Sequence, residues 1–118
     1  MKTDNIEEQE KRIKKIIANI DNKDIVKLLN AWNKYLENVL IFPFDANIIG
    51  CMDKGPLKFG DKVSVKSIAL IDDLYGIIVE LRFGRKKFHH PLDDLEVIGK
   101  KSSNYQHIND YSFWIANR

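Results

Sequence analysis

The stretch from Gly76 to Glu96 reads Gly-Ile-Ile-Val-Glu-Leu-Arg-Phe-Gly-Arg-Lys-Lys-Phe-His-His-Pro-Leu-Asp-Asp-Leu-Glu, and its pattern decides the fold. Apolar side chains recur at every second position of its first half, which predicts a β-strand that presents one apolar face, formed by Ile77, Val79, Leu81 and Phe83. Gly84 and Arg85 follow where a tight turn is required, because glycine adopts positive φ without a steric clash. Pro91 ends the returning strand, since it has no N–H to donate. The stretch is therefore a β-hairpin, which needs further strands and a cover to be stable in water.

Two amphipathic helices are predicted before the hairpin. The first carries a stripe of isoleucines at helical spacing, namely Ile6, Ile13, Ile16, Ile17 and Ile20. The second carries a broader apolar face that includes Ile25, Leu28, Leu29, Trp32, Leu36 and Val39. It should end near Ile41, because Pro43 disfavours the helical conformation of the preceding residue.

Three more strands and a third helix complete the predicted fold. Asp45 to Asp53 is the first predicted strand, and Glu96 to Ile98 is a short closing strand. The segment from Leu57 to Lys66 joins a turn to the second, alternating strand, which Ile68 to Ile71 could prolong. Short strands joined by tight turns favour a small SH3-like barrel over a sandwich. We therefore expect a single α+β domain spanning 1–118, with helical residues 1–41, an SH3-like five-stranded β-barrel at 42–99 and a C-terminal helix at 103–117.

Composition limits the function classes. Nineteen basic and seventeen acidic residues give a formal net charge of +2, which is too small to indicate nucleic-acid binding by itself. No apolar run approaches the roughly 20 residues that cross a bilayer, so no membrane partner is expected. The single cysteine, Cys51, fits a reducing compartment, and we expect a cytoplasmic protein.

The sequence does not indicate catalysis. It contains no glycine-rich phosphate loop, nucleophile elbow or metalloprotease motif. His89 and His90 are adjacent on a predicted strand and so point to opposite faces, which does not favour a zinc site. We therefore expect that the protein is not an enzyme.

Acidic residues are grouped on predicted loops and at the ends of elements: Asp72 with Asp73, Asp93 with Asp94 and Glu96, and Asp110. Calcium takes six to eight oxygen ligands in irregular geometry, so loop carboxylates that converge in space could hold it without a linear motif. Solvated surface acids are the common alternative for such residues.

A basic group lies at the hairpin tip and consists of Arg82, Arg85, Lys86 and Lys87. With Phe83 and Phe88 beside it, this group could contact phosphates and stack on bases. The alternative is a charged tip that prevents the edge strand from pairing with other chains.

Several motifs resemble, in order and spacing, a small calcium-binding protein family typified by the cyanobacterial calcium-binding protein. The resemblance covers residues 32–117, and its more specific signals are Phe42-Pro43-Phe44 with Ala46 and Asp110-Tyr111 with Trp114. The other matching residues are Trp32, Tyr35-Leu36, Pro56-Leu57-Lys58, Gly60-Asp61, Val63, Val65, Pro91-Leu92 and Leu95-Glu96.

The resemblance implies a soluble, non-catalytic protein that binds Ca²⁺ through surface acids. Asp61, Glu96 and Asp110 lie within matching motifs, whereas the two Asp pairs at 72–73 and 93–94 are added from their loop positions. We expect weak binding by surface loop carboxylates, with a Kd of about 10⁻⁵ to 10⁻³ M. The alternative is a non-catalytic SH3-like interaction module that binds a protein or nucleic acid through the basic hairpin.

Overall fold

The computed structural model describes residues 4–118, in which two α-helices are followed by five β-strands and a third α-helix in an α+β arrangement. The elements in chain order are α1 (Asp4–Ile16), α2 (Ile25–Val39), β1 (Phe44–Ile48), β2 (Lys62–Asp72), β3 (Gly76–Phe83), β4 (Lys86–Pro91), a 3₁₀ helix (Leu92–Asp94), β5 (Leu95–Val97) and α3 (Ser103–Ala116). None of the helices in this described part of the chain is long and apolar enough to cross a membrane.

The predicted hairpin is present as strands β3 and β4. Phe83 pairs with Lys86 at its tip, so Gly84 and Arg85 form a two-residue turn. Gly84 has a φ of 62°, the left-handed conformation that such a turn requires. The inward face of β3 is buried as the alternation predicts, except that Phe83 at the tip is 36% exposed.

All five strands belong to one antiparallel sheet with the order β4-β3-β2-β1-β5. Strand β2 is its longest member, and the register with β3 shifts between Val65 and Ser67 and again between Ile68 and Leu70. Such irregularities bend a strand and increase its local twist. A single long strand can therefore pair with both β1 and β3 while the sheet curves.

The five strands and three helices expected from the sequence are confirmed, but closure into an SH3-like barrel is not observed. Strands β4 and β5 are the two edges of an open sheet and do not pair with each other. Helix α3 packs against both β5 and the 3₁₀ helix that links the two edge strands. The connecting segment and the helix thus occupy the side on which a barrel would close.

The first strand is shorter than predicted. It ends at Ile48, whose N–H donates to the Asp61 carbonyl and whose carbonyl accepts from Gly60. The following residues leave the sheet, and the side chains of Ile49 and Met52 are exposed. Alternation alone could not show where pairing stops, because the partner residues lie more than ten positions away in the chain.

The hydrophobic core lies between the sheet and helices α2 and α3. Trp32 of α2 is fully buried at its centre, with its ring 5.5 Å from that of Tyr111 and 5.6 Å from that of Trp114. The Trp32–Tyr111 pair is close to edge-to-face, an arrangement that contributes about 0.5–1.5 kcal/mol beyond the burial of area. The other buried side chains of α2 and of the inner sheet face include Leu28, Leu29, Leu36, Ala46, Ile48, Val65, Val79 and Leu81.

Helix α1 packs through the predicted isoleucine stripe, apart from Ile6, and through two polar side chains beside it: Ile13 is in the core, and Ile16, Ile17 and Ile20 pack against the core. Gln9 and Ile13 are buried, and Arg12 and Ile16 are half-buried, whereas Ile6 is 57% exposed. These four packed positions are spaced by three, one and three residues, so they share one side of a helix. The interface of α1 therefore contains two polar side chains.

Tyr111 joins helix α3 to the start of strand β3. Its hydroxyl oxygen accepts a hydrogen bond of 2.9 Å from the N–H of Ile77, and both groups are buried. Burial raises the pKa of Tyr111 even though this hydrogen bond opposes the shift, so the hydroxyl is un-ionised at neutral pH. Gly76 allows the approach, because a Cβ there would collide with the Tyr111 hydroxyl and lie 2.7 Å from Ile115 Cδ1.

Comparison of Gly76→Ala with Gly60→Ala tests this close approach. Both glycines have positive φ, +82° and +91°, but a Cβ at Gly60 would meet no atom within 4 Å. Gly60→Ala should lower the free energy of unfolding by about 1–2 kcal/mol through backbone strain alone. Gly76→Ala should cost about 1–3 kcal/mol more, because it also overpacks the contact with Tyr111. Urea unfolding followed by tryptophan fluorescence measures both; equal losses would contradict the packing argument.

Candidate functional site

Two of the predicted acids, Asp93 and Asp94, lie side by side in the 3₁₀ helix between the edge strands. Asp93 is half-buried, and its Oδ1 atom is shielded from solvent without a hydrogen-bond partner among the described residues. Burial raises the pKa of Asp93, and the neighbouring charge of Asp94 raises it further. An anionic oxygen held in this way is destabilised unless a cation or a proton reaches it.

Asp94 is held against the segment that follows β1. Its backbone carbonyl accepts hydrogen bonds from the N–H groups of Ile49 and Gly50, at 2.9 and 3.2 Å. Its carboxylate lies so close to Gly50 that a Cβ there would be 2.5 Å from Oδ1. The absence of a side chain at position 50 therefore determines how near the carboxylate approaches the backbone.

His90 completes this site from strand β4. Its Nε2 atom lies 2.8 Å from the Gly50 carbonyl oxygen, and a carbonyl can only accept, so Nε2 is the protonated nitrogen that donates. The ring fixes the Gly50 carbonyl on one side while the Asp94 carbonyl holds the Gly50 N–H on the other. The loop, the strand and the 3₁₀ helix are thus joined at Gly50.

A surface cavity of about 420 Å³ adjoins this site, and Asp94 forms part of its wall. Its other lining residues include Cys51, Met52, Tyr75, His89 and Pro91. A small ion in solution can therefore reach Asp94 without rearrangement of the core.

Asp110 has a different environment from the other predicted acids, because it is fully buried between α1 and α3. Arg12 donates to it from Nε at 2.7 Å and from Nη2 at 3.0 Å, and Gln9 donates from Nε2 at 2.9 Å. The hydrogen bond to Asp110 raises the pKa of Arg12, against the opposing effect of burial. Both carboxylate oxygens of Asp110 are thus engaged by the chain's own donors.

Two further predicted acids cap turns. Asp61 accepts a hydrogen bond of 2.8 Å from the N–H of Lys58, in the turn before β2. Asp72 accepts from the N–H groups of Leu74 and Tyr75, each at 2.8 Å, in the turn between β2 and β3. Aspartate favours such positions because its short side chain reaches a backbone N–H two or three residues away in the chain.

The seven predicted acids are not gathered in one place. Asp73 is exposed at the turn between β2 and β3, and Glu96 is exposed on β5 opposite Asn47. Within residues 4–118, no group of three or more His, Cys, Asp or Glu side chains is arranged to hold a metal ion. Asp93 and Asp94 differ from the other predicted acids, because Oδ1 of Asp93 has no partner among the described residues and Asp94 lines a surface cavity.

The basic hairpin tip presents Arg82, Arg85 and Lys86 to solvent, together with the partly exposed Phe83. Lys87 lies 4.0 Å from a carboxylate oxygen of Glu80 on the neighbouring strand. Binding of a protein or nucleic acid by this tip stays a prediction.

Sequence reasoning missed three of the residues that define these environments. Gln9 and Arg12 were not predicted to be interface residues, although their spacing to Ile13 and Ile16 is the signal that could have placed them in the interface. The role of Gly50 in admitting Asp94 had no local signal, because it depends on a contact across 44 positions of the chain.

The fold places this chain in a class of small α+β proteins built on one open, five-stranded antiparallel sheet with three helices. A family model described as calcium binding, of the CcbP type, matches residues 10–115. The chain therefore belongs to the CcbP-type calcium-binding family, which confirms the resemblance seen in the sequence.

Solved structures agree with this assignment. CcbP from Anabaena superimposes with a TM-score of 0.76 at 27% identity, over 93% of this chain and 90% of that one. A calcium-binding protein in its calcium-binding form gives a TM-score of 0.69 at 23% identity, over 98% and 95% of the two chains, and at this identity the likeness shows the fold alone. A search of curated proteins found no match.

A double-mutant cycle of Arg12→Met and Asp110→Asn tests the buried ion pair. Removing either partner should lower the free energy of unfolding by about 2 kcal/mol or more, because the other is left in a poorly solvated place. A reference cycle of Glu8→Gln and Lys11→Met measures an exposed pair, whose side chains are 62% and 69% exposed. The coupling energy of Arg12 and Asp110 should exceed the coupling energy of this reference pair. That surface pair should contribute about 0.2–0.5 kcal/mol. Equal coupling in the two cycles, measured by urea unfolding, would show that Asp110 is not a structural anchor.

The raised pKa of Asp93 predicts a pH dependence of stability. Between its ordinary value of 3.8 and its raised value the folded state binds the extra proton, so the free energy of unfolding falls as pH rises through this window. Asp93→Asn keeps the side chain neutral at every pH. Without calcium it should therefore raise the Tm at pH 7, and the advantage over wild type should shrink as pH falls towards 4. Thermal unfolding between pH 4 and pH 7 measures the difference in Tm between Asp93→Asn and wild type. A difference that grows as the pH falls would contradict the raised pKa of Asp93.

Proposed function

We propose that this chain binds calcium weakly at the 3₁₀ helix, with Asp93 and Asp94 as its carboxylate ligands. The observation that carries the proposal is the buried Oδ1 atom of Asp93, which has no partner among the described residues and lies beside a second carboxylate. Calcium is a hard cation that prefers oxygen, and it would supply the positive charge that this pair lacks. Membership of a calcium-binding family supports the same ion.

The small number of charged ligands supports weak binding. Calcium takes six to eight oxygens, and two aspartates supply only part of that number. Waters and backbone carbonyls would provide the remainder, so we expect a Kd of about 10⁻⁵ to 10⁻³ M. The ion would also relieve the repulsion between the two acids, so binding should stabilise the fold.

The remaining predicted acids have other tasks in this proposal. Asp110 anchors α1 to α3 through Arg12, while Asp61 and Asp72 each stabilise a turn. Asp73 and Glu96 are solvated. The proposed role is binding alone, in keeping with a family of binding proteins, and involves no catalytic step.

Calcium titration of wild type, Asp93→Asn and Asp94→Asn tests the assignment. Wild type should show binding heat and a rise in Tm in millimolar calcium at fixed ionic strength, because the ion binds the folded state preferentially. Each variant should lose at least about tenfold in affinity, since a charged ligand is removed. Magnesium should bind more weakly than calcium, because it requires a more regular octahedron.

Glu37→Gln is the matched control, because it removes one negative charge from an exposed position on α2. Its affinity should equal that of wild type. Wild-type affinity in Asp93→Asn and Asp94→Asn would move the calcium site elsewhere. No heat and no change of Tm in wild type would remove the proposed function.

A further inference from the structure

A second cavity, of about 500 Å³, lies between α1 and α3 on a different part of the surface from Asp93 and Asp94. Its wall is polar and contains two cationic side chains, three amides and one carboxylate, namely Arg12, Lys100, Gln9, Gln106, Asn109 and Asp110. Ile6 and Tyr105 add an apolar part. Gln106 and Asn109 are exposed, so their amide groups are accessible from solvent.

The guanidinium of Arg12 is held in one orientation at this cavity. Oδ2 of Asp110 accepts from Nε and Oδ1 accepts from Nη2, and Gln9 donates a second hydrogen bond to Oδ1. Asp110 is fully buried, whereas the Arg12 side chain is 34% exposed, so the carboxylate lies behind the arginine. No hydrogen bond joins Nη1 to a described residue, which leaves the second edge of the guanidinium, formed by Nη1 and Nη2, for a ligand.

We propose that this cavity binds a phosphate group, with the Nη1–Nη2 edge of Arg12 and the ammonium of Lys100 as its cationic contacts. A guanidinium edge matches two oxygens of a phosphate, and a carboxylate behind the arginine fixes its direction. The side-chain amides of Gln106 and Asn109 can each donate a further hydrogen bond.

The charges around the cavity favour an anion over a cation. Arg12 already neutralises Asp110, and Lys100 then adds one positive charge. Tyr105 and Gln106 belong to the first turns of α3, where the helix dipole is positive. The volume also exceeds that of inorganic phosphate alone, and the apolar part beside it suits a phosphate that carries a small apolar group.

Binding of inorganic phosphate and phenyl phosphate tests the proposal, by calorimetry and by amide chemical shifts in calcium-free buffer. Both should bind wild type, with shifts at the side-chain amides of Gln106 and Asn109, and both should weaken as sodium chloride is added. Tighter binding of phenyl phosphate would indicate a phosphorylated small molecule, and equal binding would indicate the free ion. Acetate at the same ionic strength should bind more weakly than either.

Two variants and a control make the test specific. Lys100→Gln should weaken phosphate binding about three- to fivefold, the usual effect of one exposed charge pair. Arg12→Lys keeps a positive charge beside Asp110 but removes the second edge, and it should weaken binding more than Lys100→Gln does. Lys101→Gln removes a neighbouring exposed charge and should leave binding unchanged.

Two results would overturn the proposal. One is the absence of heat and of chemical-shift changes in wild type with both phosphates. The other is an equal loss in Lys100→Gln and Lys101→Gln, because that pattern indicates attraction by net charge without a site. Calcium binding at Asp93 and Asp94 does not enter either result, so the two proposals fail or succeed separately.

Discussion

The contact between Tyr111 and the first residues of β3 constrains the rest of the molecule. One side chain of α3 reaches the ring of Trp32 in α2 and also accepts the N–H of Ile77. Gly76 has no side chain and so leaves space for the Tyr111 hydroxyl, which allows this one residue to contact the strand as well as the core. Because the aromatic contact and the hydrogen bond depend on the same rotamer, α3 has one position against the sheet. That position directs Asp110 towards α1 on one side and places the 3₁₀ helix beside α3 on the other.

The parts of the fold that the sequence predicted are those specified by local pattern. Alternation with a glycine turn defined the β3–β4 hairpin, and the broad apolar stripe of α2 matched its buried face. The open sheet, the early end of β1 and the polar part of the α1 interface could not be predicted in this way. Each depends on contacts between segments that are far apart in the chain, as where Asp110 of α3 accepts hydrogen bonds from Gln9 and Arg12 of α1.

In the candidate site too, local sequence identified the acidic residues, but it did not show which distant residues contact them. Adjacent acids after a proline-terminated strand marked Asp93 and Asp94 as accessible oxygen donors, and the family assignment agrees with that chemistry. Asp110 carried the same prediction, yet a cation from the chain itself lies against it. Residue type showed which side chains carry carboxylate oxygens, but which of the surface acids bind an ion stays a prediction. It was insufficient inside an interface, where the charge of the neighbouring helix decides what the carboxylate does.

The position of α3 in the chain has a consequence for biosynthesis. Every strand precedes this helix in the sequence, and the helix supplies Ile108, Tyr111 and Trp114 to the core. During translation α2 and the five strands are therefore made before α3, and until α3 packs, the part of the core that α2 does not cover, at β5 and the 3₁₀ helix, is in contact with water. A chain stalled before Asn104 would present an apolar sheet with two free edges, the kind of surface that chaperones bind.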